Sequence, residues 1–182
     1  MNYKPIDVAL ACSLLEYRPD VGGSCLVWKV DVGVCGKGKA GTMAGSLTYY
    51  GYWIVYINKT HYYAHRLIWA MVHGEDPLCQ VDHILGKEAG NNVENLRLAY
   101  NNGADNQQNR KHSKNNTSGY RGVGWCKRTK KWRSQIQVNS KCITIGYFDT
   151  PEKAYVAYLV AKQKYHPFQP IPRPVDMIGA NT

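Results

Sequence analysis

The 182-residue sequence predicts an α+β chain in which β-hairpins and a helix come first, and a small three-stranded antiparallel sheet packed on one helix comes last. Three observations carry this. Residues 47–64 are rich in β-branched and aromatic side chains, the composition of strands. Residues 65–73 place Leu67, Ile68 and Met71 at helical spacing. Around Asn139-Ser140 apolar and polar residues alternate with period two, and Thr150-Pro151 then opens an alanine-rich helix.

In chain order, residues 8–16 form a short helical candidate, and Cys25-Leu26-Val27-Trp28-Lys29-Val30 is a β-type run after Gly22-Gly23. Residues 33–45 are rich in Gly and Lys. They hold a near match to a phosphate-binding loop, but Ala40 stands where a magnesium-ligating hydroxyl is needed, so no nucleotide cofactor is expected. Residues 52–57 and 61–64 form a hairpin around Asn58, Lys59 and Thr60. Residues 65–73 are a helix stopped by Gly74, and Pro77 leads into a strand at 79–84.

The chain carries 23 Lys/Arg against 13 Asp/Glu, a net charge of +10, and the excess is segregated. From Gln107 onward there are 14 basic and 3 acidic residues. Between Asp105 and Asp149 ten bases fall and no acid, interleaved with aromatics and amides. That segregation favours a polyphosphate partner over a merely solvated face. The six cysteines are scattered, with no C-x-x-C pair, and neither a signal segment nor a run long enough to span a membrane is present. A soluble protein of a reduced cytoplasm is the expectation.

Residues 81–109 hold a pattern that points to chemistry. An Asp-His pair ends an apolar run, a Gly and Asn loop follows, then Glu94-Asn95-Leu96, and then a cluster of amides at Asn106, Gln107, Gln108 and Asn109. Hydrolysing a phosphodiester requires an in-line nucleophile and a means of absorbing charge on the phosphate and the leaving oxygen. Asp82 supplies an anionic oxygen for a magnesium-type ion, and Asn106 a neutral second ligand. His83, with an ordinary pKa near 6.5, can take a proton from the attacking water. On a regular strand these neighbours point to opposite faces, so a shared site requires a bend at the strand end.

The run Ala64-His65-Arg66-Leu67-Ile68-Trp69, with Val81-Asp82-His83-Ile84, Asn91-Asn92, Glu94-Asn95-Leu96-Arg97 and Asn106-Gln107-Gln108-Asn109-Arg110, resembles the HNH endonucleases of phage and homing type. The resemblance implies a ββα-metal unit over 65–110 after a β-rich region at 1–64. It implies one Mg2+ or Mn2+ ion per site, held by Asp82 and Asn106. It also implies catalytic roles for His83, Asp82 and Asn95, the last holding the imidazole ring and its tautomer together with nearby backbone. The sequence departs at Leu85-Gly86-Lys87, where many relatives have Asp-Gly-Asn, and is longer before Asn106. Asn102, Asp105 and Asn109 therefore stand as alternative ligands.

Residues 111–118 read as a basic linker. Tyr120-Arg121-Gly122-Val123, Trp132-Arg133, Ile145-Gly146-Tyr147-Phe148-Asp149-Thr150 and the helix after Glu152 resemble the Apetala/ethylene-response-factor DNA-binding domain over 119–168. Alternation puts Trp132, Ile136, Val138, Ile143, Ile145 and Tyr147 on one face, and Arg133, Gln135, Gln137, Cys142 and Thr144 on the other, with Ser134 opposite Ile145. Double-stranded DNA is then the expected partner. Gln135, Gln137 and Thr144 lie on the reading face, Arg121 and Arg133 meet guanine or phosphate, and Lys127, Arg128, Lys130 and Lys131 form a phosphate-binding turn. Trp125 either stacks on sugar or joins the core. Residues 169–182 close the chain as a Pro-rich tail, extended from His166 onward.

The function expected is a DNA endonuclease of phage or homing type that nicks one strand per site, acting as monomer or dimer in the cytoplasm of a bacterial host. The competing reading is a DNA-binding regulator with an inactive HNH remnant.

Overall fold

A computed structural model describes residues 3–33, 38–100, 108 and 116–169. The class is α+β, with helices and small antiparallel sheets. The chain divides into two compact units, Met1–Tyr100 and Asn101–Thr182.

In the first unit, α1 (Val8–Leu14) starts at Asp7, whose side chain accepts from Leu10 N. It runs into β1 (Leu15–Tyr17), which pairs antiparallel with β2 (Leu26–Trp28). A second sheet holds β3 (Ser46–Leu47), β4 (Trp53–Ile57) and β5 (Thr60–Tyr63). Its β4–β5 turn is Asn58-Lys59 alone, both left-handed at φ 48° and 62°, and Thr60 already pairs with Ile57. A two-residue turn of this hand matches strand twist, so the hairpin is one residue tighter than the sequence suggests.

Helix α2 (Ala64–His73) follows directly and closes on Gly74 at φ 76°, the left-handed conformation that favours glycine there. It buries Leu67 and Ile68 in a core that also takes in Leu15, Leu26, Val55, Val81 and Leu96. Elements on both sides of residue 64 therefore share one interior. The strands β6 (Gln80–His83) and β7 (Leu96–Ala99) form the last hairpin of the unit.

Arg66, only 4% exposed, sits inside this helix face. Its guanidinium donates to the carbonyls of Cys79 and Pro77, each at 2.7 Å, and to Asp76 at 3.3 Å, and lies 4.0 Å over the Tyr3 ring. The other oxygen of Asp76 accepts from Ile6 N at 3.1 Å. Burial works against the Arg66 charge, and these partners offset it.

In the second unit β8 (Val123–Cys126), β9 (Lys131–Val138) and β10 (Lys141–Phe148) form an antiparallel sheet in the order β10-β9-β8. Helix α3 (Pro151–Tyr165), with Thr150 capping Lys153 N, packs on it through Ala154, Tyr158 and Ala161. The turn at Asn139-Ser140 is as expected, and Val138 pairs with Lys141 and Ile136 with Ile143. The register then shifts. Ser134 pairs with Gly146, not Ile145, and Tyr147 stands opposite Arg133. The extra residue reverses the alternation beyond it, which leaves Tyr147 40% exposed on the polar face while Ile145 packs against the core.

The segment after α3 also departs from the extended tail expected. His166 and Gln169 are buried, and a ring nitrogen of His166, Nε2, meets the Gln137 carbonyl at 2.8 Å. Lys162, fully buried, donates to the carbonyls of Gln108 and Gln169. The five cysteines among the described residues are free, and no described helix is long and apolar enough to cross a membrane.

Gly122 is the tightest backbone position of this unit. Its φ is +76°, and an added Cβ would lie 2.2 Å from the Tyr158 ring and 2.7 Å from the Gln135 carbonyl. Gly122→Ala is expected to destabilise the second unit by about 3 kcal/mol or more. Urea unfolding followed by near-ultraviolet dichroism checks this, and an unchanged midpoint would contradict the packing.

Candidate active site

Asp82 and His83 close β6, with Arg97 and Leu96 as their cross-strand partners. The ladder stays regular through His83, so the pair splits as alternation requires. The imidazole goes inward, 5% exposed, and the carboxylate lies across from Arg97. Arg97 donates to Asp82 Oδ2 from Nη2 at 3.0 Å and from Nε at 3.3 Å. Immediately after His83 the chain turns, with Gly86 N donating to the His83 carbonyl and Ile84 N to the Asn95 carbonyl.

The loop 84–95 is held by two asparagines with different tasks. Asn95 does not meet the imidazole. Its Oδ1 accepts from Leu85 N at 2.8 Å and its Nδ2 donates to the carbonyls of Gly86 and Gly90, so it shapes the loop. The ring partner is Asn91, whose Oδ1 lies 2.9 Å from His83 Nε2. Asn91 Nδ2 donates to the carbonyls of Gly23 at 3.2 Å and Ser24 at 3.5 Å. Carbonyls can be met only by N–H groups, so Oδ1 faces the ring and Nε2 must carry the proton. In the neutral imidazole the basic nitrogen is then Nδ1. The task expected of Asn95 thus falls to Asn91, because Asn95, one residue ahead of β7, spends its amide on the loop.

Aromatic rings pack around His83. The His65 ring lies 4.8 Å from it and Tyr52 6.3 Å, and Tyr52 and Tyr63 also flank His65. Burial depresses the His83 pKa, against the opposing pull of the Asn91 hydrogen bond and the Asp82 charge. Burial lowers His65 well below the ordinary value, and the neighbouring His83 and Arg66 add to this. Both shifts favour the neutral ring. Burial raises the Tyr52 phenol, and Asp82 adds to the rise.

The expected second ligand, Asn106, lies outside the described residues, as do Asn102, Asp105 and Asn109. Among the described residues no cluster of three or more His, Cys, Asp or Glu is placed to hold a metal. The sequence reading missed Asn91, His65, Tyr52 and the Arg97 partner of Asp82. Asn91 and His65 lie within the HNH-like motifs, but nothing local assigns them a task.

In the second unit Arg133, Gln135, Gln137 and Thr144 share the face away from α3, joined by Tyr147. Lys127, Arg128 and Lys130 are exposed in the β8–β9 turn. Lys131 pairs with Asp149 at 3.1 Å. Arg121 sits ahead of β8, close enough for its charge to oppose protonation of His166. Trp125 is register partner to Trp132 and packs edge-on against it at 5.2 Å, so it lies on the opposite face from Arg133, though 48% exposed.

Residues 62–104, from the end of β5 past β7, match the HNH endonuclease family. A stretch of 78 residues is 35% identical to Protein 3.8 of Escherichia phage T7, covering 42% of this chain and 63% of that protein. The match thus spans less than two thirds of that relative. No solved structure matches.

The depressed His65 and His83 carry a stability prediction. Both bind protons more readily unfolded, so stability is complete above pH 6.5 and falls as pH drops below it. Each contributes a slope of up to about 1.4 kcal/mol per pH unit. Unfolding of the first unit at pH 7 and pH 5 should show this loss, and His65→Gln should shallow it. Equal slopes in the two proteins would contradict the burial of His65.

Proposed function

We propose that the chain is a metal-dependent DNA endonuclease of the HNH type, in which the first unit hydrolyses the phosphodiester and the second holds the duplex. The observation that carries this is the direction of the Asn91 amide at the His83 ring, which puts the proton on Nε2. With the Nε2 proton directed at Asn91, Nδ1 is the basic atom of the ring, the one that would take a proton from the attacking water. Asn95 keeps the loop in the shape that brings Asn91 to the ring.

Asp82 is the described residue that would hold a divalent ion, together with Asn106 or one of its neighbours. Its side chain is 13% exposed at the end of β6, paired with Arg97 and on the face opposite the His83 ring. A single carboxylate with neutral oxygen donors suits magnesium or manganese, which retain several waters. When bound, such an ion supplies charge neutralisation at the phosphate and the leaving 3′ oxygen. One site per chain makes nicking the direct outcome, with double-strand cleavage left to a dimer or a second event.

For the second unit, the reading is an Apetala-type DNA-binding domain. It is supported by the three-stranded sheet backed by one helix, and by a face bearing Arg133, Gln135, Gln137, Thr144 and Tyr147 without a carboxylate. The amides and Arg133 would read base edges, while Lys127, Arg128 and Lys130 would meet phosphates.

Relaxation of supercoiled plasmid with magnesium tests the enzyme. His83→Ala is expected to slow nicking on the order of 100- to 10,000-fold, and Asp82→Ala to abolish magnesium-dependent nicking. Results independent of both residues would leave a DNA-binding protein with an idle HNH segment.

Duplex affinity measured across a salt series tests the second unit. Replacing Lys127, Arg128 and Lys130 with Ala should reduce the slope of log affinity against log salt by about 0.9 for each phosphate no longer neutralised. Arg133→Ala and Gln135→Ala should narrow the gap between specific and random duplexes.

A further inference from the structure

Tyr49 is 98% exposed and Tyr50 74% exposed, two large rings at the turn between β3 and β4. Side chains this open bury almost no apolar area, so packing does not account for them. The turn beneath them is tightly bonded. Thr48 N donates to the Tyr52 carbonyl and Gly51 N to the Thr48 carbonyl, each at 2.8 Å, and Tyr52 N donates to Thr48 Oγ1 at 3.0 Å. The two rings meet edge to face with centroids 5.4 Å apart, which limits their freedom before anything binds.

Their place is beside the candidate active site. Lys87, on the loop that follows His83, donates to the Tyr50 carbonyl and stands 4.6 Å over the Tyr52 ring. The Tyr52 ring is in turn 6.3 Å from His83. Gly51 has φ +75°, and a Cβ there would lie 3.2 Å from the Lys87 ammonium, so turn and loop are closely apposed. Tyr50 and Tyr52 are two residues apart, at most about 7.6 Å between Cα atoms. Nucleotides of one strand rise about 3.4 Å each, so the exposed rings lie on the order of four to six nucleotides from a phosphate attacked at His83.

We propose that Tyr49 and Tyr50 form a stacking platform for a nucleobase of the DNA flanking the cut, with the Lys87 ammonium supplying positive charge at its foot. The proposal rests on the nuclease reading of the first unit. Aromatic stacking accepts any base, because every base has a π-face, and tyrosine tolerates the wet edge of such a site. The platform therefore orients the strand without reading sequence.

The test uses the full chain on a supercoiled plasmid in which bromodeoxyuridine replaces thymidine. The His83→Ala protein is irradiated on this DNA and the cross-linked peptides are mapped. Cross-links at Tyr49 or Tyr50 are expected. In the otherwise native chain, Tyr49→Ala with Tyr50→Ala should lose these cross-links and slow nicking at subsaturating plasmid by about tenfold. Tyr49→Phe with Tyr50→Phe keeps the rings and should retain both. Melting temperatures should match throughout, since neither side chain is packed. Cross-links elsewhere but none here, or an alanine pair that behaves as the native chain, would overturn the platform. Cross-links here in a native chain that does not nick would support the platform while removing the enzyme.

Discussion

Two backbone carbonyls, those of Gly23 and Ser24, set the direction of the Asn91 amide, and the protonation of the candidate site follows from that direction. With Nδ2 committed to them, Oδ1 can only accept, His83 Nε2 can only donate, and Nδ1 becomes the basic atom. The residues that impose this lie more than 60 positions upstream of the Asn91 amide they orient. Tyr17 braces the same loop from another side. Its hydroxyl donates to Asn92 Oδ1 at 2.6 Å and accepts from Val93 N at 2.9 Å. The β1–β2 ribbon is thus part of the site's scaffold, and the unit that positions His83 begins well before the segment matching the HNH family.

The approach to β6 is governed by a second buried polar centre. Arg66 gathers the carbonyls of Pro77 and Cys79, and Asp76 ties that connection to Ile6. A buried guanidinium is costly unless its donors are satisfied, so the connection from α2 to β6 has few alternative paths. Hydrophobic burial of Val81 and Leu96 then fixes the ribbon's face, and regular pairing delivers Asp82 and His83 at its end. Apolar packing alone would leave the register of so short a hairpin weakly specified; Arg66 supplies directional bonds at its entry.

Much of this was legible in the residues, and what was not has a common physical cause. The Asn139-Ser140 turn, the Gly74 stop and the Thr150-Pro151 start follow from local backbone preferences, which act within a few residues, and the same preferences located the turn at Asn58-Lys59 though with Thr60 counted in it. The Asp82-His83 pair was legible because few patterns put a hard anion beside an imidazole. The partner of the His83 ring was not, since choosing Asn91 over Asn95 requires knowing where Gly23 arrives. Arg66 likewise read as one more base, and only the fold shows three carbonyl or carboxylate partners around it. The bulge near Ile145 escaped alternation because one inserted residue leaves the composition of the strand unchanged while reversing everything after it.

Charge is divided unequally between the two units. Residues 1–100 carry nine Lys/Arg and nine Asp/Glu, and residues 101–182 carry fourteen and four. A unit without net charge gains little from the counterion release that dominates affinity for duplex DNA. On the nuclease reading, its hold on a phosphate would come from a few placed groups: Asp82 with an ion, Lys87, and rings at the surface. The second unit has the opposite character, with fourteen bases against four acids. Joining the two in one chain turns the second encounter into an intramolecular one, at an effective concentration set by the connection. On that reading, weak, sequence-tolerant contacts around His83 would be sufficient, with the basic unit supplying proximity.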